Sequence, residues 1–368
     1  MPSSSGTSSS RPGSFLAPAA RYRELHVNRT VYILGALVLV GPWVAWLMQL
    51  QAELHAPAVL LDAMGHGTVH SLLASTLAGF ASGSPTFNTF TVLAAAAFGV
   101  ALFGYDRSAG GLLYTLETPL RRRDVFAAKA IFGGTVVVLA IALGIAGTLV
   151  AAALSGNLAL TGPILLRGLF AVTGQLSLFA TALALGGAVG TVFSGLAIAF
   201  WAGLPGLLSG LLTMLFVPVS YAVPTTVGAA VASPAGIASL AQALPNLSPF
   251  SPAGIGLWST ADVLALIAWF VAWTAFMLWQ GSRWWQLAPF ERLGDGVFFP
   301  FLWNLYYAYL SLASGLFVTT LVTHGTVRGP EWALIYAAAF VAGWFFWRLA
   351  VTRQGRRAAW RHAVSART

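Results

Sequence analysis

Hydrophobic positions in this chain fill runs of about twenty residues, separated by short clusters that hold the charges, rather than marking one face of a strand or of a surface helix. From Gly168 to Ala261 there is not one Asp, Glu, Lys, Arg or His. An unpaired charge at the centre of a bilayer costs about 2.5–3.5 kcal/mol on insertion scales, and a helix needs about 20 mostly apolar residues to cross. The pattern therefore predicts an all-α polytopic membrane protein. Eight transmembrane helices are expected, near residues 31–50, 86–105, 129–154, 165–191, 195–217, 262–281, 298–323 and 332–350.

The charges orient these spans. Arg21, Arg23 and Arg29, then Arg107, Arg121, Arg122, Arg123 and Lys129, then Arg283 and Arg292, and finally Arg348 to Arg367 all fall on one side. The opposite side holds Arg167 and Arg328 as bases, with Glu53, Asp62, Asp262 and Glu331 as acids. By the positive-inside rule the arginine-rich side is cytoplasmic. An even number of spans then puts both termini inside, in a cell membrane. Helix-start signals agree: Ser259-Thr260-Ala261-Asp262 offers an N-cap with a first-turn acid, and Pro330-Glu331 offers a proline near the first helical position. The aromatic cluster of Phe298, Phe299, Trp303, Tyr306, Tyr307 and Tyr309 at the start of the seventh span reads as an interfacial belt in preference to a ligand cage.

Composition removes several function classes. With 58% hydrophobic and 8% charged residues and a mean hydropathy of +0.79, the chain lies far from soluble globular proteins. It has no cysteine, which excludes disulfides, thiolate nucleophiles and Cys-ligated metals. The net charge of +9 would suggest nucleic acid in a soluble protein. Here the bases flank apolar runs, so anionic lipid headgroups explain them and no nucleic-acid partner is expected. Residues 1–20 are rich in Ser, Gly and Pro and read as a disordered tail. Residues 21–30 read as a short amphipathic lead-in on the inner leaflet, with Tyr22, Leu25 and Arg29 set against Arg21, Arg23 and Glu24. Residues 351–368 form a basic cytoplasmic tail.

Two membrane segments carry local signals. Ala202, Gly206 and Gly210 form a small-residue stripe on the fifth span, with Pro205 as a kink, and small residues let helix backbones approach closely in lipid. This stripe is expected at a dimer interface, with packing inside one subunit as the alternative. From Pro218 to Thr260 the chain carries Pro218, Pro224, Pro234, Pro245, Pro249 and Pro252 but no charge. Prolines at that density break helices, yet the segment is too apolar for a solvated loop, so short re-entrant or interfacial half-helices are expected.

The segment from Asp106 to Ile131 has the most specific pattern. Ala109, Leu112, Leu113 and Leu116 follow i, i+3, i+4, i+7 and make an apolar stripe on a short helix, which Thr118-Pro119 ends. Its apolar face needs a protein partner or the lipid surface. Arg121, Arg122 and Arg123 offer bidentate contacts to carboxylates, and they serve equally as a positive-inside anchor. This segment resembles the first cytoplasmic loop of ABC-2 family ABC-transporter permeases, whose pattern is an acid, a glycine, leucines, a proline, a base and a lysine heading the third span. Asp106 stands where the family usually has Glu, Gly110 or Gly111 at the glycine, Leu112 and Leu116 at the leucines, Pro119 at the proline, Arg121 or Arg122 at the base and Lys129 at the lysine. Glu117 lies within the same loop.

The resemblance implies an ABC-2 (type V exporter-like) core over residues 31–285, with two additional spans in 286–350 that typical six-span members lack. It implies that the 106–129 loop is a coupling helix docked on a separate ATPase subunit. A second permease subunit, as homodimer or heterodimer, is implied as well. The expected function is the permease half of an ATP-driven exporter of a hydrophobic or amphipathic compound. A non-enzymatic membrane scaffold or an ion-coupled carrier is the alternative. A Walker A loop needs Gly-Lys-Ser/Thr to hold phosphates, and the only lysine lies in Ala127-Ala128-Lys129-Ala130, so ATP and Mg are expected in the partner subunit.

Other constellations are thin. Asp62, His66 and His70 are spaced i, i+4, i+8 and would share a helical face, a candidate metal site, but Gly65 and Gly67 disfavour the helix and a plain external amphipathic segment is the preferred reading. His55, His66, His70 and His324 fall in external loops, and there is no HExxH, so no catalytic site is expected. Arg167 and Arg348 are expected to snorkel at span ends. Thr173, Gln175 and Ser177 on the fourth span read as interhelical hydrogen bonds in preference to substrate contacts.

Overall fold

A computed structural model describes residues 22, 24–26, 28–55, 57, 65, 68–81, 89–108, 121–188, 260–287, 300–323 and 330–365. Among the described residues there is no strand. Helices α1 (Arg29–Leu54), α2 (Val69–Ala81), α3 (Thr89–Ser108), α4 (Arg122–Leu154), α5 (Thr161–Ala188), α6 (Thr260–Leu287), α7 (Pro300–Thr323) and α8 (Pro330–Ser365) follow in order. A 3₁₀ turn at Leu158–Leu160 leads into α5.

Among the described residues, five stretches are long and apolar enough to cross a membrane: Arg29–Leu54, Arg122–Leu154, Leu158–Ala188, Val263–Leu287 and Glu331–Ala350. The described apolar stretches of α3 and α7, Ala94–Tyr105 and Tyr307–Thr323, are shorter, although the helices coincide with two expected spans. The expected span near 195–217, with Ala202, Gly206 and Gly210, lies outside the described residues, as does the proline-rich segment. One further apolar helix corresponds to no expected span. The 13-residue α2 is too short to cross, and its Leu72, Leu73, Leu77 and Phe80 are buried where a solvated external segment was expected.

Helix α5 is the axis of the bundle. Its whole C-terminal half is buried, from Ser177 through Ala188, and it packs against α3, α4 and α6. Small residues bring the neighbours to backbone contact. A Cβ on Gly99 of α3 would lie 2.8 Å from the Phe179 carbonyl oxygen, and one on Gly281 of α6 would lie 2.6 Å from the Ala184 Cβ. Elsewhere an aromatic ring fills the space a glycine leaves: Trp43 of α1 lies over Gly144 of α4, and Phe98 of α3 lies over Gly35 of α1. In lipid, where apolar surface gains nothing from leaving water, such close van der Waals packing is what holds helices together.

The ends of α4 explain its length. Its 33 residues make a rod about 50 Å long against a hydrocarbon core of about 30 Å. Gly156, at φ +73°, closes the helix C-terminus, with the Asn157 amide donating to the Ala152 carbonyl at 2.9 Å and the Gly156 amide to Ala153 at 3.1 Å. At the other end α4 starts at Arg122, about two turns before the apolar run that was expected to open at Lys129.

Helices α7 and α8 form a hairpin of their own. They pack chiefly on one another, through the stacked Trp332–Tyr336 rings and the edge contact of Tyr307 with Trp344. Pro330 opens α8 with Glu331 in its first turn, as the sequence signals predict.

Two expectations on polar side chains change. The hydroxyls of Thr173 and Ser177 donate to carbonyls of their own helix, Leu169 and Gly174, rather than to a neighbour. Two indoles do bond across helices: Trp273 Nε1 donates to Thr181 Oγ1 at 2.9 Å, and Trp46 Nε1 to Thr148 Oγ1 at 3.1 Å. Arg167, expected near a span end, is buried in the second turn of its helix. Helix α5 begins at Thr161, almost two turns before it, and leaves Arg167 only 7% exposed.

Candidate functional site

The lead-in before α1 is helical at Tyr22 and at Glu24, Leu25 and His26. Tyr22 and Leu25 face outward while Glu24, grouped with the polar residues in the sequence, is buried. An outward apolar face suits a segment lying against lipid. The buried carboxylate then requires a partner inside the bundle.

That partner is the sole lysine. Lys129 Nζ lies 3.3 Å from Glu24 Oε1, with the side chains 0% and 1% exposed. The same ammonium donates to the Leu102 carbonyl at 2.8 Å and sits 5.4 Å from the Phe103 ring centroid. Glu24 Oε2 accepts from Asn28 Nδ2 and from the Tyr32 hydroxyl, both at 2.8 Å. One buried network thus joins the lead-in, the start of α1, the C-terminal part of α3 and the N-terminal part of α4. The spacing Glu24, Asn28, Tyr32 is i, i+4, i+8, a polar stripe that the sequence displays and that points to this network.

The network sits near the end of α3 and the start of α4, the two helices on either side of the 106–129 segment. Asp106 is in the last turn of α3. Ala109, Gly110, Gly111, Leu112, Leu113, Leu116, Glu117 and Pro119 lie outside the described residues. Arg121 is the extended N-cap of α4, and its carbonyl accepts from the Asp124 amide at 2.9 Å. Arg122 Nη1 donates to the Gln286 carbonyl at 3.0 Å and ties α4 to the end of α6. Arg123 is exposed.

Three arginines at a helix N-terminus oppose the helix dipole, at about 0.3–1 kcal/mol for each one near the first turn. Asp124, in that first turn, offsets part of this. Helix stability therefore does not account for Arg121 to Arg123.

The metal candidate is not assembled among the described residues. His70 stands in the first turn of α2, and its Nδ1 lies 2.7 Å from the Ser155 carbonyl beyond the end of α4. Asp62 and His66 lie outside the described residues.

Compared with protein-family models, with curated proteins and with solved structures, the chain matches none.

Proposed function

We propose that this chain is the membrane-spanning permease subunit of an ATP-driven ABC exporter of the ABC-2 type. It carries eight spans with both termini in the cytoplasm and resides in a bacterial cell membrane. The chain itself hydrolyses nothing; ATP and Mg belong to a separate ATPase subunit docked on the 106–129 loop. A second permease subunit completes the pathway across the stripe Ala202, Gly206, Gly210. The cargo is a hydrophobic or amphipathic compound.

One observation carries the reading beyond loop resemblance: the Glu24–Lys129 pair locks the lead-in to the two helices that bracket the loop. A push on the loop moves α3 and α4, and the buried pair passes that movement to the lead-in and α1. Coupling of this kind needs a rigid connection, and a buried, hydrogen-bonded ion pair supplies one. The test is co-purification of the tagged permease with an ATPase subunit whose turnover depends on the permease.

The same pair favours a second reading, an ion-coupled carrier, because ionisable side chains buried in a bundle are the usual groups for moving ions. In sealed vesicles the two readings separate. Uptake of a fluorescent amphipathic dye that survives a protonophore but needs ATP supports the exporter; the reverse supports the carrier.

A further inference from the structure

The groove between the N-terminal part of α4 and the C-terminal part of α6 is a cleft of about 500 Å³. That lies within the roughly 300–1,000 Å³ of small-ligand sites. Its floor is apolar, made by Phe126, Ala127 and Ala130 of α4 and Leu278 of α6. Its polar end is made by Arg123 from one helix and Ser282 and Arg283 from the other. The Arg283 guanidinium carbon sits 4.9 Å from the Trp279 ring centroid, which fixes the cation by its face and leaves its N–H edges open. Ser282 Oγ accepts from Gln286 Nε2 at 3.1 Å, so its own proton is available to an acceptor in the cleft.

The geometry points to a binding site for an anionic phospholipid, its phosphate held between Arg123, Arg283 and Ser282 and its first acyl carbons on the apolar floor. Two guanidiniums on facing helices match the forked contacts a phosphodiester accepts. The α6 face beside the cleft is aromatic and exposed. Phe276, Trp279 and Arg283 follow i, i+3, i+7 along α6, and Phe276 and Trp279 are 47% and 55% exposed. Passing from phenylalanine through indole to guanidinium, that face follows the polarity gradient from acyl chain to headgroup. Free phosphate would use the arginines but not the floor. A carboxylate-bearing protein would approach from the aqueous end and leave the apolar floor uncovered. The site requires only that α4 and α6 span a bilayer, and it does not depend on the transport reading.

The probe is dioctanoyl phosphatidylglycerol, titrated onto the purified full-length protein in detergent and read as bound adducts by native mass spectrometry. The wild-type protein binds it at least several-fold more tightly than dioctanoyl phosphatidylcholine. The double variant Arg123→Gln, Arg283→Gln weakens binding roughly tenfold or more, whereas Arg29→Gln with Arg348→Gln, which removes the same charge elsewhere on the inner side, changes it less than twofold. Ala127→Phe fills the floor without touching a charge and weakens binding similarly, which keeps the test open should the arginine variant fail to insert. Equal binding of the two lipids, or unchanged binding in both the arginine and the floor variants, overturns the proposal. Displacement of the lipid by millimolar inorganic phosphate shows a soluble-phosphate site and overturns the lipid assignment. Intact lipid binding in the arginine variant with loss of a co-purifying protein reassigns the arginines to a protein contact.

Discussion

Lys129 Nζ and Glu24 Oε1 stand 3.3 Å apart with both side chains out of reach of solvent, although 105 residues separate them in sequence. Breaking such a pair by removing one partner costs about 3–5 kcal/mol, because the other charge stays buried. Lys129→Met is therefore expected to destabilise by that order. The double variant Glu24→Gln, Lys129→Met is expected to recover a large part of the loss, since the introduced amide oxygen would still accept from Asn28 and Tyr32. Thermal unfolding of the four proteins in detergent forms the double-mutant cycle, and additive losses would contradict a coupled pair.

A second expectation follows from the close approach of α3 and α6 to α5. Gly99→Val and Gly281→Val insert methyl groups where backbone or Ala184 stands, and overpacking of this kind costs about 1–3 kcal/mol. Gly162, also helical, has open space around it, so Gly162→Ala is neutral or slightly stabilising. Fluorescence-detected size exclusion after heating compares the three. Equal midpoints would mean that α3 and α6 do not pack through these glycines.

The one-sided arginine clusters predict topology, and the absence of cysteine makes the test clean. Cysteines introduced at Ser108, Gln286 and Ser365 are expected to be shielded from an impermeant thiol reagent in intact cells. A cysteine at Ser71, which is exposed, or at Thr326 is expected to react. Labelling of the Ser365 position from outside contradicts eight spans with both termini inside.

Much of the helical plan was legible because twenty-residue apolar runs have few other readings. The end of α4 at Leu154 and the start of α8 at Pro330 match the expected boundaries. Four features were not legible, each for a physical reason. Helix α4 starts at Arg122, before the apolar run, because helix formation does not itself require apolar residues, so a search for apolar runs misses its first turns. Helix α2 is too short for a search based on spanning length. Glu24 looked like a solvated residue because a carboxylate's burial depends on its partner, and Lys129 lies far along the chain. The polar spacing of Glu24, Asn28 and Tyr32 was the available signal. Hydrogen bonds from Trp46 and Trp273 were hidden for a similar reason: an indole reads as apolar until its N–H meets an acceptor. The coupling stripe, the small-residue stripe and the candidate metal residues Asp62 and His66 lie outside the described residues, so they rest on sequence alone.

The dimer stripe has its own check. Gly206→Leu with Gly210→Leu is expected to abolish crosslinking between two differently tagged copies expressed together. Undiminished crosslinking would assign the stripe to packing within one subunit.

In the proposed function, the 106–129 loop couples this membrane protein to a separate ATPase. The stripe Ala109, Leu112, Leu113, Leu116 is too short to span and too apolar for water, so its removal should uncouple the complex without unfolding it. The decisive measurement is affinity purification of the Leu112→Asp, Leu116→Asp variant beside the wild-type protein, with the co-purifying ATPase and its turnover quantified at equal membrane expression. The account predicts that the wild-type protein brings down an ATPase and that the variant loses it or loses its stimulated turnover. A variant that keeps a bound ATPase at full turnover, or a wild-type protein that brings down none, contradicts it.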